Sequence, residues 1–267
     1  MRNVAGSGAR WIDVSAERFP GWISAFAGRH SYPGQHGDSG PHGDSGQRGD
    51  SVPLGDSRPL GDSGPLAITP GDGAIAFTAP DGAVAQCHPP FGESFALPPG
   101  LTDPDEIAAA IAEHARAPRT VGVLLVRLGG YAAGVFSGYP PALADAKVGS
   151  RLVHGRSAAG GWSQHRFARR REKQANEALD AAADVAVAVF GRGPRLDAVV
   201  LGGDKRTVAG LRDDPRLAPY LAIATERFLT VPDPRRTVLE GTPKLFTAVR
   251  IRLTESLSGV RGSSPGR

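Results

Sequence analysis

The sequence predicts an α/β (α+β) protein with two units, a small N-terminal α+β subdomain and a larger mixed sheet covered by helices. Three strand-like segments between residues 121 and 153 are followed by alternating helix-like and strand-like segments. This order is typical of a mixed sheet with helices packed on it. Apolar residues make up 40% of the 267 positions, which is enough for a globular core.

The N-terminal subdomain is predicted for residues 1–118 and opens with a helix. Residues Trp11 to Arg29 carry Phe19, Ile23 and Phe26 at helical spacing, and Ser15 is the expected N-cap. We therefore expect one apolar face of this helix to pack into the core.

The same subdomain continues with a hairpin and a second helix. Ala74–Thr78 and Ala83–Cys87 flank the turn sequence Ala-Pro-Asp-Gly, which predicts two paired strands. Residues Asp103 to Arg116 are predicted to be helical, because an Asp-Pro pair starts the segment and Pro118 follows it.

A hexapeptide array interrupts the subdomain. Gly-Asp-Ser recurs at residues 37, 43, 49, 55 and 61, a strict period of six. A left-handed β-helix needs an aliphatic residue in each rung, and the early repeats have none. Polar, Gly/Pro-rich sequence cannot bury enough surface to offset chain entropy, so we predict a disordered insertion at about residues 31–70.

The larger unit is predicted for residues 119–253, with a disordered tail at 254–267. The elements expected in it are strands Val121–Leu128, Tyr131–Ser137 and Lys147–Val153, helix Gln164–Phe190, strand Leu196–Leu201, a short helix near Thr207–Leu211 and a strand around Leu221–Thr225. Their order resembles the ribonuclease-H-like topology.

The basic charge of the chain is concentrated in one window. Only 4 of its 31 basic residues are lysines. Residues 151–180 carry a net charge of +4, equal to the surplus of the whole chain. The bases in this window are Arg151, Arg156, Arg166, Arg169, Arg170, Arg171 and Lys173. A local arginine patch indicates a polyanionic partner, because guanidinium groups match phosphate oxygens.

The helix predicted from Gln164 separates its basic and apolar residues onto two faces. At 100° per residue, Arg166, Arg169, Arg170 and Lys173 share one sector. The other sector contains Phe167, Ala178, Ala182, Val185 and Val189. Cations in the first turns oppose the helix macrodipole by roughly 0.3–1 kcal/mol each. A bound polyanion explains this placement better than helix stability does.

The segment before this helix is the most specific candidate site in the sequence. It reads His-Gly-Arg-Ser-Ala-Ala-Gly-Gly-Trp-Ser-Gln over residues 154–164, and its glycines allow a backbone to approach a ligand closely. The residues that we predict to act there are Gly160, Gly161, Ser163 and Gln164.

Three blocks of this region resemble a known family. Lys-Val-Gly-Ser-Arg at 147–151, Val-His-Gly-Arg at 153–156 and Gly-Gly-Trp-Ser-Gln-His-Arg-Phe-Ala-Arg-Arg-Arg at 160–171 look like the release-factor-related, Vms-like peptidyl-tRNA hydrolases, in their actinobacterial branch. The resemblance covers Trp11 to Leu253 without the Gly-Asp-Ser array. It implies a fold similar to the middle domain of eukaryotic-type class-one release factors, with Gln164 as the family glutamine and Gly160 and Gly161 as its glycines.

The chain also departs from release factors in three respects. Trp162 and Ser163 separate the glycines from the glutamine, whereas release factors carry an uninterrupted Gly-Gly-Gln. The sequence contains no separate codon-reading domain, and its single cysteine, Cys87, rules out the zinc finger of eukaryotic relatives. We therefore do not expect stop-codon decoding.

The resemblance implies an enzyme that hydrolyses peptidyl-tRNA on stalled ribosomes or separated large subunits. Its expected partners are the large ribosomal subunit, peptidyl-tRNA and rRNA, without a cofactor or a metal. The sequence has no apolar run long enough for a membrane span and no signal-peptide core, so we expect a cytoplasmic protein. The oligomeric state stays open.

Three alternative functions also remain open. Some eukaryotic relatives are described as nicking tRNA near its 3′ end. A non-catalytic ribosome-binding module would use the basic helix alone. A metal-dependent nuclease would need converging carboxylates, for which the candidates are Asp145, Glu177, Asp197 and Asp204.

Overall fold

The computed structural model describes residues 9–30, 66–71, 73–127, 130–150 and 164–255, and of residues 164–175 it describes the backbone alone. The strands in these ranges are β1 (Arg10–Val14), β2 (Ala67–Gly71), β3 (Ala74–Thr78), β4 (Val84–His88), β5 (Arg119–Arg127), β6 (Gly130–Gly138), β7 (Ala142–Ser150), β8 (Ala198–Gly203), β9 (Ala224–Leu229) and β10 (Val249–Thr254). The α-helices are α1 (Phe19–Arg29), α2 (Pro104–Arg116), α3 (Gln164–Phe190), α4 (Lys205–Ala209), α5 (Ala218–Leu221), α6 (Arg236–Glu240) and α7 (Pro243–Phe246).

The first sheet is antiparallel and has the order β1-β10-β4-β3-β2. Helices α1 and α2 cover one of its faces. Phe19, Ile23 and Phe26 of α1 are fully buried there, as their spacing predicts. Asp103 caps α2 by accepting hydrogen bonds from two backbone N–H groups of the first turn.

The start of the chain differs from the sequence prediction. Residues 10–14 form β1, whereas the helical periodicity predicted a helix from Trp11 with Ser15 as its N-cap. The helix begins at Phe19, with Pro20 in its first turn, a position where proline is favoured. Pairing with β10 decides the conformation of residues 10–14, and that strand lies more than 230 residues away.

The last strand also belongs to the first sheet. β10 lies between β1 and β4, although the sequence assigned residues up to 253 to the second unit. Residues 67–71 form edge strand β2, so the end of the predicted 31–70 insertion is ordered and part of a sheet. Residues 31–65, like the tail from 256 onward, lie outside the described ranges. The boundary between residues 118 and 119 stays a prediction.

The second sheet has the strand order β7-β6-β5-β8-β9. β6 is antiparallel to both of its neighbours, while β5, β8 and β9 run parallel. This arrangement confirms the mixed sheet and the ribonuclease-H-like strand order.

Both faces of β5, the central strand of the second sheet, are buried. Leu124 and Val126 of β5 face α3, whereas Val121, Val123 and Leu125 face the side of α6 and α7. A strand covered on both faces is expected to be continuously apolar, which is why the segment after Arg119 could be recognised as a strand. None of the described helices is long and apolar enough to cross a bilayer.

Two strands of this sheet are shifted from their predicted positions. β7 occupies 142–150 rather than 147–153, because the chain pairs with β6 directly after the turn at residues 139–141, with a bulge between Val135 and Phe136. β9 occupies 224–229 rather than 221–225, because residues 218–221 form α5. Helix α3 runs from Gln164 to Phe190 and confirms both predicted ends.

Candidate functional site

The candidate site lies at the edge of the second sheet where β5, β7 and β8 end. Gly130 pairs with Arg127 on one side and with Ser150 on the other, and Val126 pairs with Gly203. These pairings bring the carboxyl ends of the three strands to one edge. β7 ends at Ser150 at this edge, and the segment 151–163 follows it in the sequence.

The orientation of α3 follows from the strands that it connects. β7 and β8 run in the same direction, so the helix between them runs back across the sheet and begins at the same edge. Gln164 is its first residue. The candidate glutamine therefore begins α3 directly after the glycine-rich segment.

The predicted apolar face of α3 is confirmed over the part with described side chains. Ala178, Ala182, Val185 and Val189 are buried against the sheet. At about 1.5 Å per residue, α3 is roughly 40 Å long, and the stretch from Ala178 to its end is roughly 20 Å. Packing of that second stretch holds this half of the helix against the sheet.

The roles of the predicted site residues stay predictions. Gly160, Gly161, Ser163, Arg151 and Arg156 lie outside the described residues. The residues of α3 whose backbone alone is described are Gln164, Arg166, Phe167, Arg169, Arg170, Arg171 and Lys173.

Arg127 is the last residue of β5 and lies at this edge. Its Nη1 donates a hydrogen bond to the carbonyl oxygen of Val231 at 3.1 Å, and its Nε lies 3.7 Å from Oδ1 of Asp233. Its side chain stays 40% exposed. These contacts hold a cation at the edge without removing it from solvent.

The turn after β8 caps the short helix α4. Gly203 has a φ of +107°, and Asp204 accepts hydrogen bonds from the backbone nitrogen of Thr207 at 2.8 Å and from its hydroxyl at 2.6 Å. The Thr207 hydroxyl, with the backbone hydrogen bond, lowers the pKa of the Asp204 carboxyl. The Gly202-Gly203-Asp204 sequence thus ends β8 and starts α4.

Sequence reasoning missed several further cations at this edge. Lys205 and Arg206 are exposed at the start of α4. Arg235 lines an open notch of about 460 Å³ together with Arg127, Asp233 and Thr237. All of them follow strand ends of the second sheet. That position relative to the strands is the sequence signal that could have identified them.

The carboxylates considered for a metal-dependent nuclease do not converge. Asp197 and Asp204 lie at opposite ends of β8, and Asp145 is paired with Arg192 at 2.9 Å. Among the residues with described side chains, no three His, Cys, Asp or Glu groups are arranged to hold a metal ion.

Several solved structures show a distant likeness. An archaeal translation termination factor, aRF1, is 14% identical with a TM-score of 0.33, over 64% of this chain and 51% of its own. The Vms1 mitochondrial localization core is 12% identical with a TM-score of 0.32, over 66% and 75%. An archaeal protein is 16% identical with a TM-score of 0.26, over 61% and 47%.

The chain thus spans about half the length of the archaeal termination factor. No curated protein matches it. One family model does match, that of the Actinobacteria/chloroflexi VLRF1 release factor, over residues 119–252. This match covers half of the chain, including the second sheet, the loop after β7 and all of α3. The chain therefore belongs to the Actinobacteria/chloroflexi VLRF1 release factor family.

Proposed function

We propose that this protein is a peptidyl-tRNA hydrolase of the cytoplasm, which frees nascent peptides on stalled ribosomes or separated large subunits. Membership of a release factor family supports work in translation. The observation that carries the finer proposal is the position of Gln164, the first residue of α3, directly after the glycine-rich segment. The arginines that follow it on the same helix supply charge for binding rRNA or tRNA.

In the proposed reaction, water attacks the ester that joins the peptide to the terminal ribose of the tRNA. The ester bond to the ribose oxygen breaks, the peptide leaves as a carboxylic acid, and the ribose hydroxyl regains a proton. A glutamine amide is neutral at any relevant pH and therefore makes a poor general base. It can orient the water while a nearby backbone N–H stabilises the oxyanion.

The proposed division of labour makes positioning the main contribution of the protein. Gly160 and Gly161 would let the segment enter a narrow RNA-walled site. Ser163 precedes the glutamine, and Arg151 and Arg156 flank the segment on its other side. Correct placement of the reacting groups alone supplies a large rate gain, since the RNA contributes the remaining groups.

The decisive test compares three proteins on stalled ribosome complexes: wild type, Gln164→Ala and Gln174→Ala. We expect Gln164→Ala to slow peptide release at least about 100-fold, the cost of losing one positioned polar group. Gln174→Ala replaces another glutamine of the same helix and should release peptide at the wild-type rate. Circular dichroism confirms that each variant keeps its fold.

Resolving peptidyl-tRNA, free peptide and tRNA ends together separates the alternatives. A tRNA shortened at its 3′ end identifies a nuclease instead of an ester hydrolase. Ribosome association without release by the wild-type protein identifies a non-catalytic binding module. Equal release by wild type and Gln164→Ala refutes the assignment of the glutamine.

A further inference from the structure

The face of the first sheet that α1 and α2 leave uncovered is polar, basic and aromatic. Along β10, Val249, Ile251 and Leu253 point into the core, so Arg250 and Arg252 point to the opposite face. The register aligns Arg252 with Trp11 of β1 and Arg250 with His88 of β4. The other cross-strand neighbours of the two arginines are Asp13, which aligns with Arg250, and Gln86, which aligns with Arg252.

Trp11 is the most exposed large apolar side chain among those described, at 50%. The guanidinium of Arg250 lies 4.3 Å from the centroid of its ring, and the His88 ring lies 5.4 Å away at 50°. These contacts fix the orientation of the indole while half of it stays accessible. A fixed and accessible aromatic ring can stack on a second planar group.

A cleft of about 450 Å³ opens beside this ring, between the outer face of the first sheet and β9. Its walls include Pro89, Pro90 and the segment Thr225–Arg227. This volume lies within the range of small-molecule sites.

One polar atom in the cleft has no partner among the described residues. His88 Nε2 is buried and makes no hydrogen bond. Burial lowers the pKa of His88, and Arg250 and Arg252 lower it further, while Glu226 acts in the opposite direction. The neutral ring can donate or accept one hydrogen bond at this nitrogen, depending on its tautomer. A buried polar atom left unpaired is unusual in a folded protein.

Both acidic and basic side chains line the cleft. Arg227 is paired with Asp13 at 2.8 Å and Arg10 with Glu255 at 3.1 Å. Within the described part of the chain, Arg250 and Arg252 are not within ion-pair distance of a carboxylate. The carboxylates that line the cleft are Glu93 and Glu226, and Oε1 of Glu93 accepts a hydrogen bond from the backbone nitrogen of Glu226.

We propose that this cleft binds one nucleotide of a single-stranded RNA, with its base stacked on Trp11, its phosphate held by Arg250, and its exocyclic amine donating to Glu226, while Arg252 holds the next phosphate of the strand. Sheet faces that carry aromatic and basic side chains are a recurrent way to bind unpaired RNA. Adenine and cytosine carry an exocyclic amine, whereas uracil has a carbonyl oxygen in its place. The site therefore favours A and C over U.

An RNA strand fits this surface better than a free nucleotide. Arg252 and Gln86 lie beside each other on the same face but outside the cleft. They extend the polar surface past the space that one nucleotide fills. The contact is separate from α3, and it would give the protein a second hold on RNA whatever the role of Gln164.

The test measures binding of labelled RNA hexamers A6, C6 and U6 to the full chain by fluorescence anisotropy. Stacking of one base corresponds to about a 5- to 150-fold change in affinity. We expect Trp11→Ala to weaken A6 and C6 binding within this range and Trp11→Phe to retain most of it. Glu226→Gln should remove the preference for A6 and C6 over U6.

The controls separate this site from general basic attraction. Arg252→Ala should reduce the salt dependence of A6 binding, whereas Arg212→Ala, an exposed arginine on another surface, should leave it unchanged. Because Arg252 is exposed, its removal also tests the site should Trp11→Ala fail to fold. If AMP displaces labelled A6 at the same concentration as unlabelled A6 does, the site binds mononucleotides. This result would overturn the RNA assignment. Equal binding of A6 by wild type, Trp11→Ala and Arg252→Ala would overturn the proposal entirely.

Discussion

At the scale of single residues, Gly203 is the described glycine at which an added Cβ would meet the closest contact. Its φ of +107° is one that side chains with a Cβ rarely adopt. A Cβ there would lie 2.1 Å from the carbonyl oxygen of Val126, which belongs to the neighbouring strand. The glycine thus lets β8 end against β5 and turn into the cap of α4.

Gly203→Ala is accordingly expected to lower the free energy of unfolding by about 2–4 kcal/mol, from backbone strain and a clash with backbone atoms. Urea unfolding followed by circular dichroism measures the change. Gly193→Ala is the matched control, because a Cβ at that exposed glycine meets nothing within 4 Å. Its effect should stay within about 0.5 kcal/mol. Equal stability of the two variants would show that the turn relaxes freely.

At the scale of elements, α3 has two parts with different roles. The part from Ala178 onward is held by packing on the sheet. The part before it carries the arginines, at the end of the helix where the macrodipole disfavours cations. A change of charge there should alter RNA binding without loosening the packing.

The double variant Arg169→Glu/Arg170→Glu tests this division. We expect no loss of thermal stability, because acidic residues near a helix start are tolerated or favoured. Ribosome association should weaken. The slope of log association constant against log salt concentration should become shallower by about one for each lost phosphate contact. Arg195→Glu/Arg212→Glu changes the charge equally, at exposed arginines elsewhere, and serves as the control. Equal association of both double variants at low and high salt would contradict the role of the stripe.

The elements that could be predicted from the sequence are those specified locally. The strand β5 is a run of apolar residues buried on both faces, and α3 starts where a glycine-rich segment ends. β1 could not be predicted, because its conformation depends on β10 at the other end of the chain. β7 was predicted too far along the chain, because alanines are frequent in its first half and are poor strand signals.

The candidate sites divide in the same way. Gln164 and its arginines are contiguous in the sequence and could be recognised by spacing. The cleft at Trp11 could not, because strand pairing brings Trp11, His88 and Arg250 together from distant segments. Glu226 joins them from β9 of the other sheet. The cations near Arg127, in contrast, could have been identified from their positions after the strands of the second sheet.

At the scale of the whole molecule, both ends of the described chain meet in one sheet. β1 pairs only with β10 among the described strands, and β10 separates β1 from β4. The first sheet is therefore complete only when the last strand is present. The second sheet, in contrast, is built from residues 119–229 alone.

This arrangement predicts different outcomes for two truncations. A chain ending at Ala248 loses Val249, Ile251 and Leu253, each almost fully buried. At about 1.5–3 kcal/mol per side chain, their loss removes about 5–9 kcal/mol, comparable with the whole stability of a typical domain. Hydrogen exchange should therefore show β3 and β4 unprotected, while β5 and β8 stay protected. A chain ending at Glu255 keeps β10 and should exchange like the full protein. Protection of β3 and β4 in the shorter chain would mean that β4 is stable without its C-terminal neighbour and would contradict the prediction.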